Sequence, residues 1–158
     1  MTVQVRRDGS TKTLRTRTSG QDGRTVLGVG LDPRYEFPVD VRFATKDVGG
    51  PSAGMMFALG IYDLLTPGEL TGGQQIAGTG TINGAGQVGP IGGIAQKLVG
   101  ARSAGARWFL APASNCAEVV GNVPEGLRVV RTQSLHESRL AVQAIAAGKA
   151  ADLPTCTR

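Results

Sequence analysis

The chain has 158 residues, with 17 lysines and arginines against 12 aspartates and glutamates, which gives a formal net charge of +5. This length suits one domain with a sizeable core and is too short for a protease domain together with an ATPase. Apolar residues make up 41% of the chain, too many for a disordered protein, and no apolar run is long enough to span a membrane. Glycine is the outlier at 24 residues, without the G-X-Y period of collagen.

The first residues predict a β-hairpin. Two strand-like runs, 2–7 and 11–17, flank Asp8-Gly9, a dipeptide that favours a tight turn. Arginine and lysine alternate here with threonine and valine, as on the exposed face of strands. Aromatic residues are only 4% of the chain, too few for base stacking, so no nucleic-acid partner is expected. Because the chain begins almost inside a strand, we expect it to be a segment of a longer protein.

Turn residues and hydrophobic periodicity predict the remaining elements. They are a polar turn at 19–24, strands at 25–31, 38–44, 75–82, 107–111 and 127–131, and helices at 51–65, 94–104 and 134–147. Ser134, with Glu137 three positions later, forms a capping-box pattern at the start of the last helix. Early strands followed by strands that alternate with helices predict a compact mixed α/β (α+β) domain.

A G-x-S-x-G pattern at residues 50–54 makes Ser52 a candidate nucleophile. Its small neighbours allow a substrate backbone to approach, and the predicted helix directs the positive end of its dipole toward the serine. The alternative is a serine in the first turn of an ordinary helix. On the pentapeptide alone we favour that alternative, since serine is common at helix starts.

A nucleophilic serine needs a base, and the chain offers two kinds. The only histidine, His136, lies among polar residues of the last helix, where a solvent-facing position is expected. A hydrolase triad would combine this histidine with Ser52 and either Glu118 or Glu125. Lys97 lies on an apolar helix stripe, with Ile94 and Ala101 on either side along the chain. Its amine is therefore either desolvated, as a general base requires, or extended into solvent, and spacing alone favours the second.

Two further patterns concern cofactors. Residues 84–89 match G-x-G-x-x-G, but Pro90 and two glycines occupy the expected first helical turn, and no acidic residue follows at the spacing that holds a ribose. We interpret this stretch as a tight hairpin, and the chain has no P-loop motif. Cys116 and Cys156 lack the spacing of a zinc site, which leaves free thiols or a disulfide. We therefore expect neither a cofactor nor a metal.

Taken together, these segments resemble the proteolytic domain of Lon-type serine proteases. The matching stretches are 50–54, 78–80, 86–97 and 104–115, and the resemblance extends from about Val26 to Leu140. Each motif alone is weak. Their order, with 45 positions between Ser52 and Lys97, is highly specific.

The resemblance implies an ATP-independent serine endopeptidase with a Ser52–Lys97 dyad. Ser52 would be the nucleophile and Lys97 the general base, and Thr79 matches a family threonine that hydrogen-bonds the lysine. The residues around the serine, Gly49, Gly50, Pro51 and Ala53, would support the site, with the Gly49-Gly50 turn and the N–H groups around Ser52 as candidate oxyanion donors. The implied fold is the Lon proteolytic domain fold, also found in the second domain of a ribosomal protein. The implied substrate is an unfolded or extended protein, and both a ring and a monomer remain open.

Two departures from the family pattern concern activation rather than the dyad. Gly49 stands where ATP-dependent Lon has an aspartate, and Thr81 stands where glutamate is common. An alternative function therefore stays open, a non-catalytic or latent Lon-like module that binds or regulates a partner. Sixteen of the 24 glycines lie between Gly49 and Gly105, and we interpret this excess as backbone clearance for a substrate.

The stretches at 47–52, 58–67 and 115–116 are similar to those of bacterial envelope proteins that carry an N-terminal membrane anchor, a PDZ domain and a C-terminal Lon-like domain. On this resemblance residues 1–22 are the end of a PDZ domain or a linking strand pair, and residues 23–158 are the proteolytic domain. The domain would lie on the extracytoplasmic side of the cell envelope, attached through a preceding segment. There Cys116 and Cys156 are expected to form a disulfide.

Overall fold

The structure, a computed structural model, describes residues 1–30, 36–44 and 50–157. The chain forms two compact units, Met1–Asp40 and Val41–Arg158. This division comes later along the chain than the sequence-based boundary between residues 22 and 23. In the described ranges, no helix combines the length and the apolar character that a membrane crossing needs.

The first unit begins with the expected hairpin. Strands β1 (Thr2–Arg7) and β2 (Ser10–Arg15) pair antiparallel. The turn residues Asp8 and Gly9 have φ angles of 52° and 75°, the left-handed conformation that a two-residue hairpin turn needs. The hairpin prediction is confirmed, and the dipeptide explains it.

The described residues that follow, up to residue 44, differ from the predictions. The region expected to be a polar turn is a second hairpin, with β3 (Ser19–Gln21) and β4 (Arg24–Val26) joined at Asp22-Gly23. The strand predicted at 25–31 ends at residue 26, and its last residue lies outside the described ranges. Residues 38–44 contain no strand. Their alternating apolar pattern suggested one, but the Phe43 ring packs against Phe57 at 4.5 Å between centroids instead.

The second unit alternates helices and strands. In chain order it contains α1 (Gly54–Leu65), β5 (Ile76–Gly78), β6 (Thr81–Ile82), β7 (Val88–Gly89), α2 (Ile94–Ser103), β8 (Trp108–Pro112), α3 (Cys116–Val119), β9 (Arg128–Thr132) and α4 (Leu135–Ala146). The helix predictions for α1, α2 and α4 are confirmed, and α3 is an addition. The strand predicted at 75–82 is broken at Thr79-Gly80, where the chain leaves one sheet for another.

A three-stranded parallel sheet forms the centre, in the order β5-β8-β9. β8 and β9 are mostly buried, whereas β5 at the edge of the sheet is half-buried. On one face Leu110 and Val130 pack against Met55 and Leu59 of α1 and against α4. The mixed α/β fold class is thus confirmed.

The opposite face of the sheet is covered by α2 and α3. Phe109 and Val129 point to this side and pack against Ile94 and Leu98 of α2 and Val119 of α3. The alternation of neighbouring residues along β8 and β9 between the two faces follows from the two-residue period of a strand. The sheet is thus the middle layer between two helical layers.

A disulfide fastens the last residues to this unit. Cys116, at the start of α3, is bonded to Cys156, with 5.0 Å between their Cα atoms and 40 positions between them in sequence. The same tail contacts β9, because the Arg131 amide donates a 2.8 Å hydrogen bond to the Pro154 carbonyl. The cross-link closes a long loop, which reduces the freedom of the unfolded chain.

We expect replacement of both cysteines, Cys116→Ser with Cys156→Ser, to lower the free energy of unfolding by about 3 kcal/mol, because the 40-residue loop is no longer closed in the unfolded state. Urea denaturation of the wild-type domain with and without reductant, beside the double variant, measures this loss. Two thiols that react with an alkylating reagent in the native, unreduced protein would contradict the disulfide.

Candidate active site around Ser52

Ser52 lies in a single 3-10 turn, Pro51–Ala53, that leads directly into α1. Pro51 suits the first position of such a turn because its missing amide would have no partner there. Gly50 precedes the turn with φ 78°, a left-handed conformation that glycine adopts without strain. Ser52 is half-buried and stands at the positive end of the α1 dipole. Gly49 lies outside the described residues, so its predicted part stays a prediction.

The backbone carbonyl of Ser52 accepts two hydrogen bonds. One comes from the Thr79 hydroxyl at 2.9 Å and the other from the Gly80 amide at 2.8 Å. In return, the Met55 amide donates to the Gly80 carbonyl at 3.0 Å. We call these three bonds the Ser52 clasp. The clasp fixes the serine turn to the point where the chain passes from β5 to β6.

The clasp is in turn tied to the central sheet. The Thr79 amide donates to the Leu110 carbonyl of β8 at 3.0 Å, and the Thr79 side chain is buried. Met55 is fully buried, and its sulfur lies 3.1 Å from the Ser138 hydroxyl of α4. The serine turn is therefore held from the sheet on one side and through Met55 from α4 on the other.

Thr79 has a different partner from the one that the resemblance implied. It was expected to hydrogen-bond Lys97, but its hydroxyl donates to the Ser52 carbonyl, and among the described residues it makes no hydrogen bond to the lysine. The Thr79 hydroxyl gives its one proton to the Ser52 carbonyl, and its oxygen keeps lone pairs that can accept from an amine. In this structure Thr79 holds the serine turn, and its part in orienting the Lys97 amine stays a prediction.

Close backbone approach explains why glycine occupies the centre of the clasp. A Cβ atom on Gly80 would lie 2.8 Å from Val88 Cγ1 and 3.4 Å from Met55 Cβ. A Cβ on Gly54 would lie 3.0 Å from Ile82 Cγ2. The serine turn, α1 and the β6–β7 hairpin therefore pack without room for an added methyl group. Sequence reasoning did not assign Gly80 a role, although glycines on both sides of Thr79 were a signal of such an approach.

Lys97 lies in the first half of α2, and its side chain is exposed. Ile94 and Leu98 point into the core, whereas Lys97 is at the edge of their stripe. No hydrogen bond joins Lys97 to Ser52 in the part of the chain that the structure describes. Of the two alternatives for this lysine, extension into solvent describes the structure.

The elements that carry Ser52 and Lys97 are nevertheless connected closely. Ala77 of β5, two residues before Thr79, packs against the same core cluster as Ile94 and Leu98. Thr81 of β6 pairs with Gly89 of β7, from which a short segment leads into α2. Only four residues separate β7 from α2. The β6–β7 hairpin is thus the direct link between the Ser52 clasp and the lysine helix.

The histidine alternative gains no support. His136 is exposed at the start of α4, where it lines a surface cavity of about 330 Å³ with Tyr62 and Arg139. In the described ranges it makes no hydrogen bond to Ser52, and the carboxylate of Glu118 accepts instead from Asn115 at 3.2 Å. The solvent-facing position expected for this histidine is confirmed.

The glycine-rich stretch at 84–89 forms the turn of the β6–β7 hairpin, as predicted. The Asn83 side-chain oxygen accepts from the amides of Ala85 and Gln87 at 3.1 and 2.9 Å, which closes the turn locally. This stretch was also the only sequence motif that resembled a dinucleotide-binding site. Within the described residues, no three histidine, cysteine or acidic side chains gather as a metal site would need.

We expect Thr79→Val to lower the free energy of unfolding by about 1 kcal/mol, because one hydrogen bond to the Ser52 carbonyl is lost while the Gly80 amide still satisfies it. Thr79→Ser, which retains the hydroxyl, is the matched control for that bond. Urea denaturation of the three proteins measures the difference. A Val variant as stable as the wild type would show that the hydroxyl does not hold the turn.

We expect Gly80→Ala to destabilise the domain by about 1–3 kcal/mol, because the added methyl group forces Val88 or Met55 out of place. Gly60→Ala, on α1 with nothing within 4 Å of the new methyl group, should instead stabilise it by about 0.5–1 kcal/mol through helix propensity. Thermal and urea unfolding of both variants provides the test. Equal effects at the two positions would rule out the close approach.

Comparison with known proteins bears on the same residues. The family model of the Lon protease C-terminal proteolytic domain matches residues 41–142. The chain is 36% identical over 94 residues to Lon protease 1 of Herpetosiphon aurantiacus, covering 57% of this chain and 11% of that protein. It is 30% identical over 116 residues to Lon protease 1 of Bacillus subtilis, covering 69% of this chain and 15% of that protein.

Lon protease 1 of Thermus thermophilus is 35% identical over 110 residues, covering 70% of this chain. The chain spans 11% to 15% of the length of the curated relatives named here. The family match includes Ser52, Thr79 and Lys97 and covers most of the chain. This chain therefore belongs to the family of Lon protease C-terminal proteolytic domains.

Proposed function

We propose that this domain is an ATP-independent serine endopeptidase in which Ser52 is the nucleophile and Lys97 the general base. The observation that carries the proposal is the Ser52 clasp. It holds the backbone of a half-buried serine at the positive end of a helix, and the two of its hydrogen bonds that reach Ser52 go to the serine carbonyl and not to the serine hydroxyl. A rigidly held nucleophile at a helix N-terminus suits acyl transfer. Membership of a proteolytic-domain family supports peptides as the substrate class.

Acylation begins when the neutral Lys97 amine accepts the proton of the Ser52 hydroxyl. The serine oxygen attacks the peptide carbonyl carbon, and the carbonyl electrons move onto its oxygen to give a tetrahedral intermediate. Amides at the serine turn and the α1 dipole stabilise this oxyanion. As the intermediate collapses, the Lys97 ammonium donates its proton to the leaving nitrogen, the peptide bond breaks, and an acyl ester remains on Ser52.

Deacylation repeats the sequence with water. Lys97, neutral again, accepts a proton from a water molecule as its oxygen attacks the ester carbon. The second tetrahedral intermediate then expels the Ser52 oxygen, which recovers its proton from Lys97. The enzyme returns to its starting state, so the chemistry consumes only water. The proposed ATP independence rests on the sequence, which contains no P-loop motif.

The exposure of Lys97 sets a condition on this mechanism. A lysine amine surrounded by water carries its proton, whereas removal of water favours the neutral form that a base needs. Bound substrate would cover the amine and exclude water from the site. An extended peptide suits this task because it covers a surface along its length. Catalysis would then depend on substrate binding to bring Lys97 and Ser52 within hydrogen-bonding distance.

The same exposure is the specific observation that favours a second candidate function. In a latent or non-catalytic Lon-like module, Lys97 would stay in solvent without a bond to Ser52, as it does in the described residues. Such a module would bind or regulate a partner. Covalent labelling of the serine distinguishes the two candidates, because an unactivated serine does not react.

The proposal includes an extracytoplasmic location, which the disulfide supports because disulfides persist in oxidising compartments. Attachment to the cell envelope through a preceding segment with a PDZ domain rests on resemblance alone. An unfolded or extended protein is the proposed substrate. Hydrolysis of an unfolded protein at the same rate with and without ATP would support the independence from nucleotide.

The dyad is tested with a serine-directed fluorophosphonate and peptide mapping by mass spectrometry. We expect one adduct, on Ser52, and loss of that adduct in Ser52→Ala. Lys97→Ala should slow labelling and peptide hydrolysis by about a hundredfold or more, because the general base is missing.

Matched controls for these variants are Ser10→Ala and Lys149→Ala, since both side chains are exposed and each lies more than 40 positions in sequence from Ser52 and from Lys97. Both should react at the wild-type rate. Labelling that survives Ser52→Ala, or hydrolysis that survives Lys97→Ala, overturns the dyad. A folded wild-type domain that takes no label would favour the latent module.

A further inference from the structure

Asn115 makes a paired contact with a residue 24 positions away. It ends the 3-10 turn Ala113–Asn115 after β8, and its side chain is only 2% exposed. Its side-chain oxygen accepts from the Ile91 amide at 3.0 Å, and its side-chain nitrogen donates to the Ile91 carbonyl at 2.9 Å. We call this pair of bonds the Asn115 clamp. The amide thus satisfies both backbone groups of one residue, as a neighbouring strand would.

The clamped residue lies just before the lysine helix. Ile91 is followed by Gly92 and Gly93, and α2 begins at Ile94. Gly93 has a left-handed φ of 69° and provides no side-chain cap. Flexible glycines without a cap leave the direction of a helix start poorly defined by local structure. The Asn115 clamp supplies a fixed point three residues before α2 begins.

The clamp is also anchored on its other side. Cys116, the next residue after Asn115, carries the disulfide to Cys156. Val119 of α3 packs in the core with Ile94 and Leu98 of α2. The nitrogen of Asn115 donates additionally to Glu118 at 3.2 Å, which orients the amide group. The turn that holds Ile91 is therefore itself fixed to the body of the domain.

We infer that Asn115 is a positioning residue that sets the start of α2 and thereby the reach of the Lys97 amine toward Ser52. Lys97 lies in the first turn of this helix, where its own amide bonds to the Gly93 carbonyl at 3.3 Å. A small shift of the helix start would move the amine by a similar amount. This inference rests on the proposed function, since it assigns a purpose to the position of the lysine.

The clamp needs one donor and one acceptor on a short side chain. Asparagine provides both, whereas an ionised aspartate accepts but cannot donate, and alanine does neither. An aspartate at this position would also face the Ile91 carbonyl and the Glu118 carboxylate without a proton to share. When protonated, its carboxyl group again offers one donor and one acceptor. The Asn115→Asp variant therefore carries a proton-dependent clamp.

The first experiment compares steady-state peptide hydrolysis by wild type, Asn115→Ala and Asn115→Asp. We expect Asn115→Ala to lower kcat by about ten- to a hundredfold with little change in KM, because the amine is misplaced while the substrate surface stays intact. Asn122→Ala is the matched control. Asn122 is exposed on the same segment and donates to the Glu118 carbonyl at 2.9 Å, so its loss should leave kcat unchanged.

A pH series distinguishes positioning from general loss of structure. The ratio of kcat for Asn115→Asp to kcat for wild type should rise as pH falls, because protonation restores the donor. A purely structural defect would lower the ratio, or leave it constant, across pH. Circular dichroism and thermal unfolding confirm that each variant is folded at each pH. A ratio that does not rise at low pH, or a kcat of Asn115→Ala equal to that of wild type, overturns the inference.

Amide hydrogen exchange separates this inference from the proposed function. Amides of residues 91–97 should exchange faster in Asn115→Ala and unchanged in Asn122→Ala, whether or not the domain hydrolyses peptides. Unchanged exchange in folded Asn115→Ala overturns the positioning role by itself. Absence of Ser52 labelling in wild type, together with faster exchange in Asn115→Ala, would instead overturn the proposed function and leave the clamp intact.

Discussion

The two hydrogen bonds on the Ser52 carbonyl are the constraint on which the site depends. They join the start of α1 to the residue pair at which the chain leaves the central sheet. Because Met55 returns a bond to Gly80, the helix and the strand connection hold each other in one fixed arrangement. Any reaction at Ser52 therefore takes place on a backbone that cannot move without breaking contacts to the sheet. The lysine helix is attached to this arrangement through the β6–β7 hairpin.

At two positions the glycines have a purpose that the composition did not indicate. Their excess between Gly49 and Gly105 was interpreted as clearance for a substrate. At Gly54 and Gly80, however, an added Cβ would meet Ile82 or Val88 of the same chain. Glycine at these two positions permits the protein to pack against itself around the serine. Clearance for a substrate remains a prediction for the positions where nothing lies nearby.

The sequence was sufficient to predict those helices and turns that are specified by residues close together along the chain. Asp8-Gly9 specified its hairpin, and hydrophobic periodicity specified α1, α2 and α4. It was insufficient where contacts with residues distant in sequence determine the secondary structure. Residues 38–44, for example, alternate like a strand and yet form none. The break at Thr79-Gly80 was also missed, because a change of sheet depends on which strands lie alongside. The four-residue helix α3 is too short to show a period.

The same distinction between local signals and distant contacts applies to the candidate site. The resemblance to Lon-type proteolytic domains implied that Ser52, Thr79 and Lys97 form one group, and the range of the family match includes all three. Spacing could not show which acceptor the Thr79 proton would take, since that depends on the position of the Ser52 carbonyl. It also could not show whether Lys97 lies within or beside the apolar stripe of α2, because the edge of a stripe is defined by what packs against it.

The central claim is that a clasped Ser52 reacts with Lys97 as its base. The most direct measurement is a crystal structure of the domain with a peptidyl boronate or phosphonate on the serine. We expect a bond to Ser52 Oγ, a distance of about 2.6–3.2 Å from that oxygen to Lys97 Nζ, and intact bonds from Thr79 and Gly80 to the Ser52 carbonyl. An adduct on another residue, or a modified Ser52 with Lys97 still in solvent, would contradict the central claim.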